Sequence, residues 1–136
     1  MQLEMLEMQN NTTCLAYIVA RIVYAETRAT SLRVVEALTS MIANATKNNN
    51  HDIMKMLCDR NIFESLNTES VRHNDLFVDS SVRGFQMCLR VAQRMLHGNL
   101  ADSCNHATMF HRTEFLPQWA VARGYVADID GILFYA

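Results

Sequence analysis

Glu26 stands in the run Ile22-Val23-Tyr24-Ala25-Glu26-Thr27-Arg28, where a carboxyl group interrupts an otherwise apolar helical stripe. Leu15, Ile18, Val19 and Ile22 recur at steps of three and four, and one further step of four reaches Glu26. Burial disfavours a carboxylate, so a carboxyl on such a face tends to keep its proton near neutrality and can act as a general acid. Cys104, His106 and His111 are all ligand types within one short stretch. Their spacing fits no familiar zinc pattern and a fourth ligand is missing, so no metal is expected. Cys14, Cys58, Cys88 and Cys104 stand far apart without a C-x-x-C pair, and read as buried free thiols.

Positioning Glu26 requires the helix that carries it. After a polar leader over residues 1–13, whose Thr12 and Thr13 are cap types, the spacing predicts a helix from about Cys14 to Arg28. Thr30 and Ser31 offer a second cap, and Val34, Val35, Leu38, Met41, Ile42 and Ala45 form the buried face of a second helix. That helix should stop in Lys47-Asn48-Asn49-Asn50, because asparagine tolerates left-handed backbone and its side chain competes for backbone hydrogen bonds. A short helix is expected around Asp52 to Asp59, with Ile53, Met56 and Leu57 inward. Thr68 to Leu76 is polar and reads as a surface loop. Asp79 or Ser80 caps a further helix with the stripe Val82, Phe85, Cys88, Leu89, Ala92 and Leu96, and Gly98 ends it.

Past Asp102 the pattern changes to alternation. Tyr125 to Ile129 and Ile132 to Tyr135 flank Asp130-Gly131, a dipeptide preferred in two-residue hairpin turns because both central positions need positive φ. Ala107 to His111 has the texture of a third strand. The expectation is an α+β fold: one mainly helical domain over residues 14–136 with a small C-terminal antiparallel sheet or hairpin packed on it.

Composition narrows the partners. A chain of 136 residues that is 50% apolar is long enough for one domain with a core. A formal charge of −2 with scattered basic residues gives no support for nucleic acid or an anionic membrane as partner. No apolar run reaches the ~20 residues of a membrane helix. The longest candidate, Cys14 to Ala25, contains Arg21, so no membrane insertion is expected and the protein reads as soluble. Met1 to Glu7 is acidic and lacks the basic and apolar regions of a secretory signal, so no export signal is visible. Nothing here fixes an oligomeric state.

Glu26, within Ala20-Arg21-Ile22-Val23-Tyr24-Ala25-Glu26-Thr27-Arg28, resembles the ARVVYAEARGE opening of the SleB/CwlJ-type cell wall hydrolases, which include spore-cortex-lytic enzymes. Asn44, in Ile42-Ala43-Asn44, is similar to that family's LNR at the end of the second helix. Phe63-Glu64-Ser65-Leu66-Asn67 resembles its QF-E/S-x-W segment. Ala107-Thr108-Met109-Phe110-His111, followed by Pro117-Gln118-Trp119-Ala120, resembles GATHYH…P-x-W. The closing Ile129-Asp130-Gly131-Ile132-Leu133-Phe134-Tyr135 is similar to IGxHxFY. These segments agree in order from Ala20 onward, which is more specific than any one of them. The chain departs from the pattern at Thr30, where a second acidic residue is common, and at Asn105-His106, which replace a Gly-Gly pair. Met109 and Ile132 stand in place of histidines.

The resemblance implies a lysozyme-like helical fold and cleavage of peptidoglycan glycan strands between N-acetylmuramic acid and N-acetylglucosamine. Glu26 would be the one catalytic acid, with no cofactor, in the cell envelope or periplasm. One acid suffices for a lytic transglycosylase, because the protonated carboxyl donates to the departing glycosidic oxygen and then takes the proton of the muramyl C6 hydroxyl. A hydrolase would ordinarily need a partner carboxylate ~5–5.5 Å away for retention or ~6.5–9.5 Å away for inversion. Glu64, Asp128 and Asp130 are the candidates. The transglycosylase is therefore the preferred expectation. The resemblance also implies substrate-binding roles for Tyr24, Asn44, Phe63, Thr108, Phe110, His111, Trp119 and Tyr135. Plainer readings stand beside several of these: Tyr24 as core, Asn44 as a cap, His111 as a structural histidine and Trp119 as a packing anchor beside Pro117. The alternative function, motivated by the missing histidines, is a non-catalytic homologue that binds peptidoglycan or a protein partner.

Overall fold

The computed structural model describes residues 12–136. Within them lie the helices α1 (Thr12–Thr27), α2 (Leu32–Asn48), α3 (Ile53–Leu57) and α4 (Arg83–Leu96), and the strands β1 (Met109–Arg112), β2 (Ala127–Ile129) and β3 (Ile132–Tyr135). Short 3-10 turns occupy Glu64–Leu66, His73–Phe77 and Gln118–Ala120. The architecture is mixed α+β, a helical body carrying a three-stranded antiparallel sheet. Most of the expected polar leader, residues 1–11, lies outside the described residues, and residues 12 and 13 already belong to α1 rather than preceding it.

The apolar stripes become one core. Ile18, Val19, Ile22 and Val23 of α1 are buried, as are all six residues of the stripe read for α2 and Phe85, Cys88, Leu89 and Ala92 of α4. α1 lies against α4, with Tyr17 and Phe85 rings 5.8 Å apart. Their approach is close at Gly84, where an added Cβ would stand 2.9 Å from the Ala29 Cβ and 3.2 Å from the Tyr24 ring. Ser31 caps α2 by accepting from the Val34 N–H, and Asp52 caps α3 by accepting from Lys55 N–H. Asn50 has a φ of 58°, the left-handed geometry read for the asparagine run beyond α2.

Two local expectations are corrected. α4 is preceded by Val82 and has no side-chain cap, because the Asp79 carboxylate instead accepts from the Ser81 N–H and hydroxyl in the preceding turn. The segment read as a surface loop over Thr68 to Leu76 is partly built in. Arg21 of α1 donates to the carbonyls of Leu76 and Val78 at 3.0 and 2.8 Å, which lets Leu76 enter the core.

The sheet order is β1-β3-β2, with Phe110 opposite Phe134 and Arg112 opposite Ile132. Asp130 and Gly131 form the β2–β3 turn with φ of 48° and 81°, as the sequence predicts. β1 ends at Arg112, one residue beyond the strand read from the sequence. Because side chains alternate, Phe110 and Arg112 share the face of the sheet that meets the helices, while His111 points the other way with Tyr135. Burial pushes the Cys88 thiol up to about 12, and burial followed by the charge of Asp102 does the same to Cys104. Both are inert core groups. No helix among the described residues is long and apolar enough to cross a membrane.

Candidate active site

Glu26 occupies the last turn of α1 on the stripe that runs through Ile18 and Ile22, and its side chain is 1% exposed. The chain turns away directly behind it. Arg28 and Ala29 both adopt positive φ, at 54° and 52°, and the Thr27 hydroxyl, bonded to Val23 O, accepts from the Ala29 N–H at 3.1 Å. Arg72 donates to the carbonyls of Ala25 and Glu26, both at 3.2 Å, so a cation covers the negative end of the helix.

Both carboxyl oxygens of Glu26 have donors. Oε2 accepts from the Ser65 N–H at 2.8 Å, at the 3-10 turn Glu64–Leu66, and Oε1 accepts from Arg112 Nη1 at 2.7 Å. The burial read from the sequence is present, and the structure adds a partner that reading did not name: Glu26 is ion-paired with Arg112. The Ser65 turn is itself held, since its carbonyl accepts from His73 Nδ1 at 2.9 Å.

Arg112 is the hub. Its Nη2 bonds Glu64 Oε1 at 2.5 Å and its Nε faces Glu114 Oε1 at 3.4 Å, so three nitrogens of one fork meet three carboxylates. Burial by itself opposes the Arg112 charge, but Glu26 and then Glu64 outweigh it and hold the guanidinium above its ordinary value. The Ser70 hydroxyl, against some burial and with help from Arg112, holds Glu64 below the usual carboxylate range. Arg72 is held below its ordinary value by burial, then by repulsion from Arg112 and Arg28.

Two adjoining cavities share Glu26, Arg112 and Glu114 as lining. The first, about 300 Å³, takes apolar walls from Phe110, Phe115 and Trp119 and polar ones from Asn61, Glu64 and Asn67. The second, about 220 Å³, is lined by Arg28, Thr30, Arg72 and Asp130 among others. The larger is within the size range of small-molecule sites, with aromatic walls and a few polar groups among them. Chemically the centre offers one enclosed carboxyl group bordering both cavities, with a second carboxylate, Glu64, on the same cation.

Of the residues expected to bind substrate, Phe110, His111 and Trp119 join Glu26 on the first cavity. Tyr24, Asn44, Phe63, Thr108 and Tyr135 line neither cavity. Phe63 is fully buried against Phe110, with ring centroids 5.9 Å apart. Tyr24 packs at the α1–α4 approach. Asn44 donates to Asp102 Oδ1 at 2.9 Å and to the Ala107 carbonyl at 3.0 Å, fastening the segment that leads into β1. The Thr108 N–H donates to the Tyr135 carbonyl. Tyr135 is 3% exposed, leaving its ring no sugar-facing surface. His111 is spent internally: the Arg112 carbonyl can only accept, so Nδ1 carries the hydrogen, and Nε2 accepts from the Tyr135 hydroxyl at 2.9 Å. Trp119 meets both rings edge-on while remaining on the cavity wall.

Arg112, Glu114 and Phe115 were not singled out in the sequence, and Asn61 and Asn67 were not either. The available signal for Arg112 was alternation, since it lies two residues beyond the buried Phe110 and therefore on the same face. Asp128 lines neither cavity, whereas Asp130 lines the second and is hydrogen-bonded by the Ser31 hydroxyl. Among the described residues, no group of three or more His, Cys, Asp or Glu side chains is placed to hold a metal ion. No protein-family model, no curated protein and no solved structure matches the chain.

Proposed function

We propose that the chain cleaves peptidoglycan glycan strands between N-acetylmuramic acid and N-acetylglucosamine, as a lytic transglycosylase of the SleB/CwlJ type on a lysozyme-like helical fold. Its place of action would be the cell envelope or periplasm. The observation that carries the reading is Glu26, a 1% exposed carboxyl that nonetheless borders two adjoining cavities, at the position the sequence resemblance marks for the catalytic acid.

In this mechanism Oε1 carries the transferable proton once Arg112 has moved off it, since both oxygens otherwise accept from groups that can only donate and the Ser65 N–H on Oε2 belongs to the backbone. Glu26 gives that proton to the glycosidic oxygen as the bond from C1 breaks. The resulting carboxylate takes the proton of the muramyl C6 hydroxyl, whose oxygen closes on C1 to give a 1,6-anhydro ring. The proton lost in the first step is regained in the second, and no water enters. Phe115 and Trp119 supply ring faces for sugar beside the largely buried edge of Phe110, and Asn61 and Asn67 supply amide groups for its hydroxyls.

A hydrolytic outcome is the second reading, favoured by Glu64. That carboxylate shares the Arg112 fork with Glu26 and is held ionised, as a water-activating base or nucleophile must be. Digesting purified sacculi and reading the soluble fragments by mass spectrometry separates the outcomes. Anhydro-muropeptides support the transglycosylase and reducing ends support the hydrolase. Sedimentation with sacculi but no fragments supports a non-catalytic binder.

A further inference from the structure

We infer that Arg112 is a latch on Glu26, holding Oε1 closed in the resting protein until a glycan strand displaces the guanidinium onto Glu64 and Glu114. The ligand in this inference rests on the glycan-cleaving reading; the latch itself rests on contacts.

The two oxygens of Glu26 are not equivalent. Oε2 faces a backbone N–H at 2.8 Å and has no reason to move, whereas Oε1 is covered at 2.7 Å by Arg112 Nη1, a side-chain group that can swing away. While that bond stands, Oε1 is occupied as an acceptor and a glycosidic oxygen cannot take its place. Arg112 has somewhere else to go. Its Nη2 and Nε already face Glu64 and Glu114, which are 51% and 70% exposed against 1% for Glu26. A modest rotation therefore gives up the buried partner and keeps the two at the rim, without stranding the cation in a low-dielectric site.

The cavities point the same way. Arg112 and Glu114 belong to the lining of both, so the pair stands where the two meet. Withdrawal of Arg112 would join them into one trough with Glu26 at its base. The Ser65 N–H would keep the carboxyl in place throughout, which makes Arg112 a positioning residue that acts through Glu26.

The test begins without substrate. Wild type, Arg112→Gln and the double variant Glu64→Gln/Glu114→Gln are labelled with a water-soluble carbodiimide and an amine, and each carboxyl is followed by peptide mass spectrometry. Glu26 should be protected in wild type and labelled about tenfold faster in Arg112→Gln, the factor that goes with losing one charge-assisted hydrogen bond. It should be protected still further in the double variant, where Arg112 has lost its other partners. Glu26 remaining protected in folded Arg112→Gln would overturn the latch. Should that variant fail to fold, Arg112→Lys keeps the charge but not the fork, and its Glu26 should label at an intermediate rate; a wild-type rate there overturns the inference. With sacculi as probe, Arg112→Gln should release fragments at least as fast as wild type. A folded Arg112→Gln about tenfold slower overturns the latch in favour of direct support of the acid or substrate. Absence of release from every protein, wild type included, counts against glycan cleavage and leaves the labelling rates to decide the latch.

Discussion

The Arg112 guanidinium donates to the Glu26 carboxylate at 2.7 Å across 86 residues of sequence, tying the last turn of α1 to the end of β1. The pair is enclosed, with side-chain exposures of 10% and 1%. Deleting one member of a fully buried pair costs ~3–5 kcal/mol, but this pair borders two cavities, which lowers the cost. Arg112→Ala should lower the unfolding free energy by about 1–3 kcal/mol in urea denaturation. A double-mutant cycle with Glu26→Gln should return a coupling above the ~0.3–0.5 kcal/mol of independent sites. Strict additivity would mean that the ion pair is not formed in solution.

Ser65 separates backbone from side chain at the same site. Its N–H serves Glu26, while its hydroxyl is a buried polar atom with no hydrogen-bond partner among the described residues. Ser65→Ala keeps the N–H and removes an unsatisfied group, so stability should hold or rise by up to ~1 kcal/mol. A loss of ~2 kcal/mol or more in the denaturation midpoint analysis would show that the hydroxyl has a partner after all.

The α1–α4 approach leaves no room at Gly84. A methyl there would stand 2.9 Å from the Ala29 Cβ, so Gly84→Ala should cost ~1–3 kcal/mol. Ala29→Gly acts in the opposite sense, because Ala29 holds a φ of 52°, a conformation that costs a side-chain-bearing residue ~1–2 kcal/mol. Combining the two should recover most of the loss, and calorimetric melting of the single and double variants would read it. Equal destabilisation by Gly84→Ala in both backgrounds would argue against a direct collision.

Acid should destabilise the fold through Glu64 and Asp102. The Ser70 hydroxyl holds Glu64 low in the folded state. At Asp102 burial acts upward, but hydrogen bonds from Asn44, the His106 N–H and Cys104 prevail and hold it low. Folded values below unfolded ones mean that the unfolded chain binds more protons, so this stability is present above the ordinary carboxylate range, about pH 4. It is lost as pH falls through the folded values. Asn44→Ala should shrink the Asp102 contribution, and the difference in denaturation midpoint between the variant and wild type should narrow as pH drops. A constant difference would mean that Asn44 contributes through Ala107 and Cys104 rather than through Asp102.

Local physics made much of the fold legible. The three- and four-residue stripes of α1 and α2 depend only on helical geometry and on apolar residues avoiding water, and Asp130-Gly131 is a turn for reasons internal to the dipeptide. Glu26 stood out because it broke one of those stripes. Its partner did not, because strand register and the docking of a sheet on a helix are tertiary facts. Ending β1 at His111 rather than Arg112 was enough to hide the residue that meets Glu26. Tyr135 and Phe63 show the converse: an aromatic in a resembling motif reads as sugar-facing until burial places it in the core. Leu76 was hidden in a polar stretch because the carbonyls around it are satisfied by Arg21, 55 and 57 residues away.

The central claim, that Glu26 is the acid that cuts a glycan strand, is tested most directly by incubating purified sacculi with wild type and with Glu26→Gln and quantifying soluble muropeptides. Gln keeps the shape, and its one amide oxygen can still accept from the Ser65 N–H, but it has no carboxyl proton to give, so release should fall to background while the variant stays folded and still sediments with sacculi. Release by Glu26→Gln at the wild-type rate would contradict the account.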